Sequence, residues 1–176
     1  MTLSTTLPFK IGSTIYYVPA GVGTIISVSD EIISGLPCTM YGIQMLRQNK
    51  PMRVATKARA LQDVADFAGA NALKTVQEVL ASKGAGQKRA AGHWFPKFSA
   101  LEKKITTGET LAELAEAIRD LSRPVETEIP QSERPVLINA KWRLIDTLVA
   151  VTGFTEVDVL RLINQSLIDS GKNALP

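Results

Sequence analysis

The chain's single histidine stands beside one of its two tryptophans, in AGHWFPKFSALEKK, residues 91–104. His93, Trp94, Phe95 and Phe98 are set among Lys97, Lys103 and Lys104. Aromatic rings interleaved with cations suit a nucleic-acid surface: the cations neutralise phosphates and an apolar ring wedges between bases. The same residues have a plain structural use. Trp94, Phe98, Leu101 and Ile105 recur at i, i+4, i+7 and i+11, the spacing of a helix stripe facing a core. Pro96 bears on the choice, because proline belongs in the first turn of a helix and most often at its first position. With Pro96 first, Phe95 is the cap and Trp94 lies outside the helix, where the stripe does not constrain it. A packing staple would then need an apolar partner at position 99, which is a serine. The residues alone leave both a core tryptophan and a wedge open.

Other reactive types do not converge. His93 has no second histidine, and Cys38 is the sole cysteine, so a zinc site is not expected. GVGTII (21–26) lacks the third glycine and helix start of a dinucleotide loop, and no Walker lysine follows a glycine-rich turn. Glu113 and Glu116 sit at i, i+3 on a polar helix face, which reads as solvated surface. Met40, Met45 and Met52 suit core filling before a soft binding surface. The expectation is a protein that is not an enzyme and uses no cofactor or metal.

Charge is unevenly spread. Residues 1–60 carry six Lys/Arg and two acids, residues 83–104 six Lys/Arg and one acid, and residues 105–176 seven Lys/Arg and eleven acids. A basic stretch around Trp94 fits either contact with an anionic surface or a solvated linker. No run reaches the roughly 18–20 apolar residues of a membrane span. The first residues lack a basic start before an apolar block, so no secretory signal is expected. One cysteine suits a reducing compartment, and a cytoplasmic location follows.

The elements that must position these residues fall into two halves. Over residues 9–60, STIYYV (13–18), GTIISV (23–28), TMYGIQML (39–46) and PMRVAT (51–56) read as short strands. Tyr41, Ile43 and Met45 share one face, and Met52 and Val54 lie opposite Arg53. Turn residues Pro19, Gly21, Gly23, Gly35 and Pro37 separate them. Four or five antiparallel strands predict a small SH3-like or Tudor-like barrel in a domain of residues 1–62. From about residue 63 the period becomes helical. NALKTVQEVLASK (71–83) and TLAELAEAIRDL (110–121) each present an apolar stripe. A longer helix over 132–152 has Ser132 as its cap, Pro135 in its first turn and Gly153 as its stop. Thr155 caps a last helix. Between the first two helices, SKGAGQKRAAGHW (82–94) reads as an exposed connection. The chain is therefore α+β, a barrel followed by an all-α domain over 63–176.

In this order the features resemble the CarD/CdnL family of bacterial transcription factors, over about residues 9–168. FKIGSTIYYVPAGVGTIISV is similar to the family opening, HWFPKFSALEKKITTGE to its tryptophan segment, and LAELAEAIRDLSR and SERPVLINAKWRLIDTLV to its next two helices. The resemblance implies a Tudor-like module that binds the β subunit of RNA polymerase, followed by a helical DNA-binding domain. It aligns Arg53 with a basic polymerase-contacting residue, with Met52, Val54 and Arg47 as neighbours. It aligns Trp94 with a tryptophan that enters the minor groove of promoter DNA at the upstream edge of the bubble, without reading sequence. His93, Lys97, Lys88 and Arg89 would be the accompanying DNA contacts. The implied protein acts as a monomer, associated with the nucleoid through polymerase, and stabilises the open complex. The family has an arginine pair after the tryptophan where this chain has Phe95, Pro96 and Lys97. An adaptor that binds polymerase without touching DNA is the alternative.

Overall fold

A computed structural model describes residues 7–82, 94–108, 110–122, 124 and 128–175, and of residues 94–97 the backbone alone. The chain divides into two compact units, residues 1–64 and 65–176.

The first unit is one antiparallel sheet of five strands: β1 (Thr14–Tyr17), β2 (Gly21–Ile33), β3 (Leu36–Met45), β4 (Met52–Ala55) and β5 (Leu61–Asp63), in the order β4-β3-β2-β1-β5. The strand pattern predicts a small barrel; among the described residues no ladder joins the edge strands β4 and β5, so the sheet stays open. β2 runs 13 residues where about six were expected, and it pairs with β3 as far as Ile33↔Leu36. Ser34 and Gly35 close that hairpin with φ of 52° and 80°. Two successive left-handed residues make a turn whose twist matches the strands it joins. A register shift between Ile25 and Ser27 breaks the β2–β3 ladder. Such a bulge swaps the faces of the residues beyond it.

The inner face carries the core: Ile15, Ile25, Tyr41, Ile43, Met45, Val54 and Leu61, with Phe9, Tyr17, Val28 and Met52 packed against it. Gly23 is required by this packing, since a Cβ there would stand 2.8 Å from both Ile43 Cγ2 and Met45 Sδ. The Tyr41 hydroxyl donates to the Phe9 carbonyl and accepts from the Phe9 N–H, each at 3.0 Å, fastening the segment before β1 to the sheet.

The second unit is helical. A one-turn helix α1 (Val64–Ala68) begins at the boundary, followed by α2 (Ala72–Ala81), α3 (Trp94–Thr107), α4 (Leu111–Leu121), α5 (Arg134–Thr152) and α6 (Glu156–Asp169). α4 is the hub, packed on α2, α3 and α5. Leu111, Leu114, Ala115, Ala117, Ile118 and Leu121 are all buried, more than a single stripe, as a central helix requires. Its start is a capping box: Thr110 Oγ1 accepts from the Glu113 N–H, and the Glu113 carboxylate accepts from the Thr110 N–H. Thr155 caps α6 through the Asp158 N–H, and Gly153 ends α5 at φ 71°, as expected.

Two boundaries differ from the sequence reading. α5 is capped by Glu133, not Ser132. The Pro130 carbonyl already accepts from the N–H groups of Glu133 and Arg134, so the chain enters the helix through a turn and needs no serine oxygen. Trp94 and Phe95 already belong to α3, so Trp94 is not outside the helix and Pro96 is not its first residue.

Candidate functional site

The first candidate surface is the outer face of the sheet. The register sets Ser27, Gly42 and Arg53 in one row across β2, β3 and β4. Side chains alternate along a strand, so Ser29 and Glu31 follow Ser27 on this face and Met40 and Cys38 follow Gly42. Arg53 is exposed and forms an ion pair with Glu31, and its Nη2 lies 3.4 Å from Ser29 Oγ. Ser29 Oγ donates to Glu31 Oε1 at 2.9 Å. Cys38 Sγ lies 3.7 Å from Met40 Sδ, a soft apolar border to this polar cluster.

The four residues aligned with polymerase contact are not brought onto one face. Val54 is buried at 6% exposure and Met52 packs against the same core, on the side opposite Arg53. Arg47 lies in the β3–β4 connection and is exposed. What Met52 and Val54 contribute at the surface is backbone: β4 is an edge strand, and one row of its N–H and C=O groups has no ladder partner among the described residues. The residues that do meet Arg53, Ser29 and Glu31, lie beyond position 28, where the residue pattern ends this strand, and the bulge after Ile25 then sets which face they occupy.

The second candidate surface is α3. Lys88, Arg89 and His93 lie outside the described residues. Trp94 and Lys97 lie in α3 by backbone, and their side chains are outside the described part. The far end of the helix is packed into the unit. Ile105 and Leu101 are buried, and Phe98 is half-buried. Lys104 Nζ pairs with Glu116 Oε2 of α4 at 2.6 Å. Arg143 of α5, only 5% exposed, donates through Nη1 to the Ile105 carbonyl at 2.7 Å and through Nε to Asn139 Oδ1 at 3.0 Å. Ile105 belongs to the last turn of α3, where carbonyls lack intrahelical donors and the helix dipole is negative, so a buried guanidinium suits the place. One end of α3 is thereby fixed to α4 and α5. No residue pattern marks Arg143, since a cation in a helix ordinarily reads as solvated.

Among the described residues no group of three or more His, Cys, Asp or Glu is placed to hold a metal ion. No helix among them is long and apolar enough to cross a membrane.

Two comparisons bear on these surfaces. The family model described as CarD, C-terminal domain, matches residues 75–164, half of the chain and all of α3, α4 and α5. A Bacillus subtilis (strain 168) protein named "Putative transcription factor YdeB" is 28% identical over 152 residues, covering 86% of this chain and 97% of that protein.

Proposed function

Because this chain belongs to the CarD family of transcription factors, we propose that it clamps RNA polymerase to promoter DNA through two anchors, one in each unit. The sheet unit, a Tudor-like module in this reading, binds the polymerase β subunit through the outer face around Arg53 and the free edge of β4. The helical unit meets DNA at the upstream edge of the bubble through Trp94, with Lys97, His93, Lys88 and Arg89 contacting phosphates. The observation that carries the reading is the family match over residues 75–164, which takes in the basic stretch and the whole Trp94 helix.

Binding of the sheet unit to polymerase raises the local concentration of the helical unit at the promoter, so the DNA contact need not be tight alone. Phosphate pairing releases counterions and positions the helix without reading sequence. A ring entering the minor groove where duplex meets melted DNA faces a small unstacking cost, since that step is already open on one side. A contact made only with open DNA shifts the closed–open equilibrium by its differential affinity, and about 1.4 kcal/mol gives a tenfold change.

The test is Trp94→Ala beside Arg53→Glu. Trp94→Ala leaves polymerase binding unchanged and removes the gain in open-complex lifetime. Arg53→Glu weakens polymerase binding itself. The single Lys97 in place of an arginine pair favours a second reading, an adaptor that binds polymerase and leaves DNA alone. Footprinting separates the two: an adaptor leaves the upstream bubble edge unprotected, and that result would sink the clamp.

A further inference from the structure

The Arg53 side chain does not stand away from the sheet. Gly42 lies between Ser27 and Arg53 in the register, and the Ser27 hydroxyl fills the space that a side chain there would take. A Cβ at Gly42 would come within 2.2 Å of Ser27 Oγ. Arg53 reaches diagonally across β3 to β2, where it meets the Glu31 carboxylate and Ser29 Oγ. Its side chain keeps 59% exposure and that of Glu31 26%, so both remain accessible to a partner.

We propose that Glu31 is a built-in competitor for the Arg53 guanidinium, so that it limits how tightly the outer face takes an acidic partner surface. The inference rests on the reading of this face as the polymerase-binding one. A partner carboxylate that pairs with Arg53 either displaces Glu31 or settles beside it. In the first case an existing ion pair is lost, and in the second two carboxylates share one guanidinium and repel. Holding Arg53 in place would save some side-chain entropy on binding. That saving is small, because the pair is exposed and half of the arginine remains in solvent. The competitive term therefore wins, and its weight is that of an exposed ion pair, about two- to fivefold in affinity.

The test measures the affinity of the full chain for RNA polymerase core enzyme at low and high salt, for wild type, Glu31→Gln, Arg53→Gln and the double variant. Glu31→Gln is expected to bind about two- to fivefold tighter at low salt, with the gap closing as salt screens the charges. In the Arg53→Gln background, Glu31→Gln is expected to change nothing. Unchanged or weaker binding by Glu31→Gln overturns the proposal; weaker binding would mean that Glu31 itself meets a cation on the partner. An equal gain with and without Arg53 also overturns it, since Glu31 would then act as a general negative charge. Wild-type affinity in Arg53→Gln removes the premise that this face binds polymerase. Loss in Arg53→Gln beside no effect in Glu31→Gln removes the competitor alone. Circular dichroism of each variant confirms that the exposed substitutions leave the fold intact.

Discussion

In the sheet unit, charge stays outside. Its core cluster runs from Ile15 to Leu61 with the Tyr41 hydroxyl as its polar group, and Arg53 and Glu31 meet on the outer face. In the helical unit, Glu133, Lys141, Arg143 and Asp146 are each 7% exposed or less, and all but Glu133 lie within α5. An exposed pair is worth about 0.2–1 kcal/mol and gives way readily to a partner, whereas a buried cation costs several kcal/mol to desolvate unless its donors are used. The contrast fits two kinds of anchor. The outer face of the sheet holds Arg53 in an exchangeable way, while α5 holds the end of α3 in a fixed one. By helix geometry Trp94 lies about 16 Å along the axis from Ile105, so any tilt at the anchored end is magnified at the tryptophan.

The sharpest way to break this comparison is Arg143→Met. The substitution keeps bulk but leaves the Ile105 carbonyl and the Asn139 amide oxygen without their donor. The expected loss is about 2–4 kcal/mol in urea unfolding followed by helical circular dichroism. Amide exchange in α3 should rise more than in α2 or α6. A loss under about 1 kcal/mol would make this buried arginine equivalent to a surface one and remove the distinction.

Tyr41→Phe sharpens the same point from the other side. The Tyr41 hydroxyl is the sheet core's polar fastening, and Phe9 supplies both of its partners. Losing it is expected to cost about 1–2 kcal/mol, with faster exchange of the Phe9 amide and little change in the strands. Unchanged Phe9 exchange would mean that the segment before β1 is held by packing of the ring alone.

Much of this architecture could be read from residue patterns, and the failures have physical causes. Alternation in TMYGIQML gave the inward Tyr41, Ile43 and Met45 correctly, because one face of β3 is dry. Periodicity gave α4 and its stripe, and Thr155 and Gly153 marked helix ends because their chemistry is local. Barrel closure is not local: it depends on whether two distant edge strands meet, and no short pattern encodes that. Ser132 lost the cap of α5 to a turn begun at Pro130, a competition between backbone and side-chain acceptors for the same N–H groups. The Arg53 partners lie where β2 outruns the strand expected over 23–28, on a face set by the register shift after Ile25. Buried Arg143 was hidden by its type, because its acceptor is a carbonyl 38 residues away in the chain.

The smallest expected effect concerns Lys172, which follows α6 and shares a β-bridge with Pro124. It is half-buried, and its ammonium is held below the ordinary lysine value first by burial and then by the Arg119 guanidinium, with Asp120 opposing. Lys172 thus carries charge at a modest cost, between the exposed pair of the sheet unit and the buried, carbonyl-bound Arg143. With the folded value below the unfolded one, the unfolded chain binds more protons in the interval between them, so stability rises with pH there. Below that interval the penalty is complete. Lys172→Met is therefore expected to melt slightly higher than wild type at pH 7, and the difference should shrink as pH rises through the interval ending near 10.5. Thermal melts of both proteins at matched pH decide it. A variant less stable than wild type at pH 7 would mean that attraction to Asp120 outweighs burial and Arg119, making Lys172 a favourable charge like those of the outer sheet face.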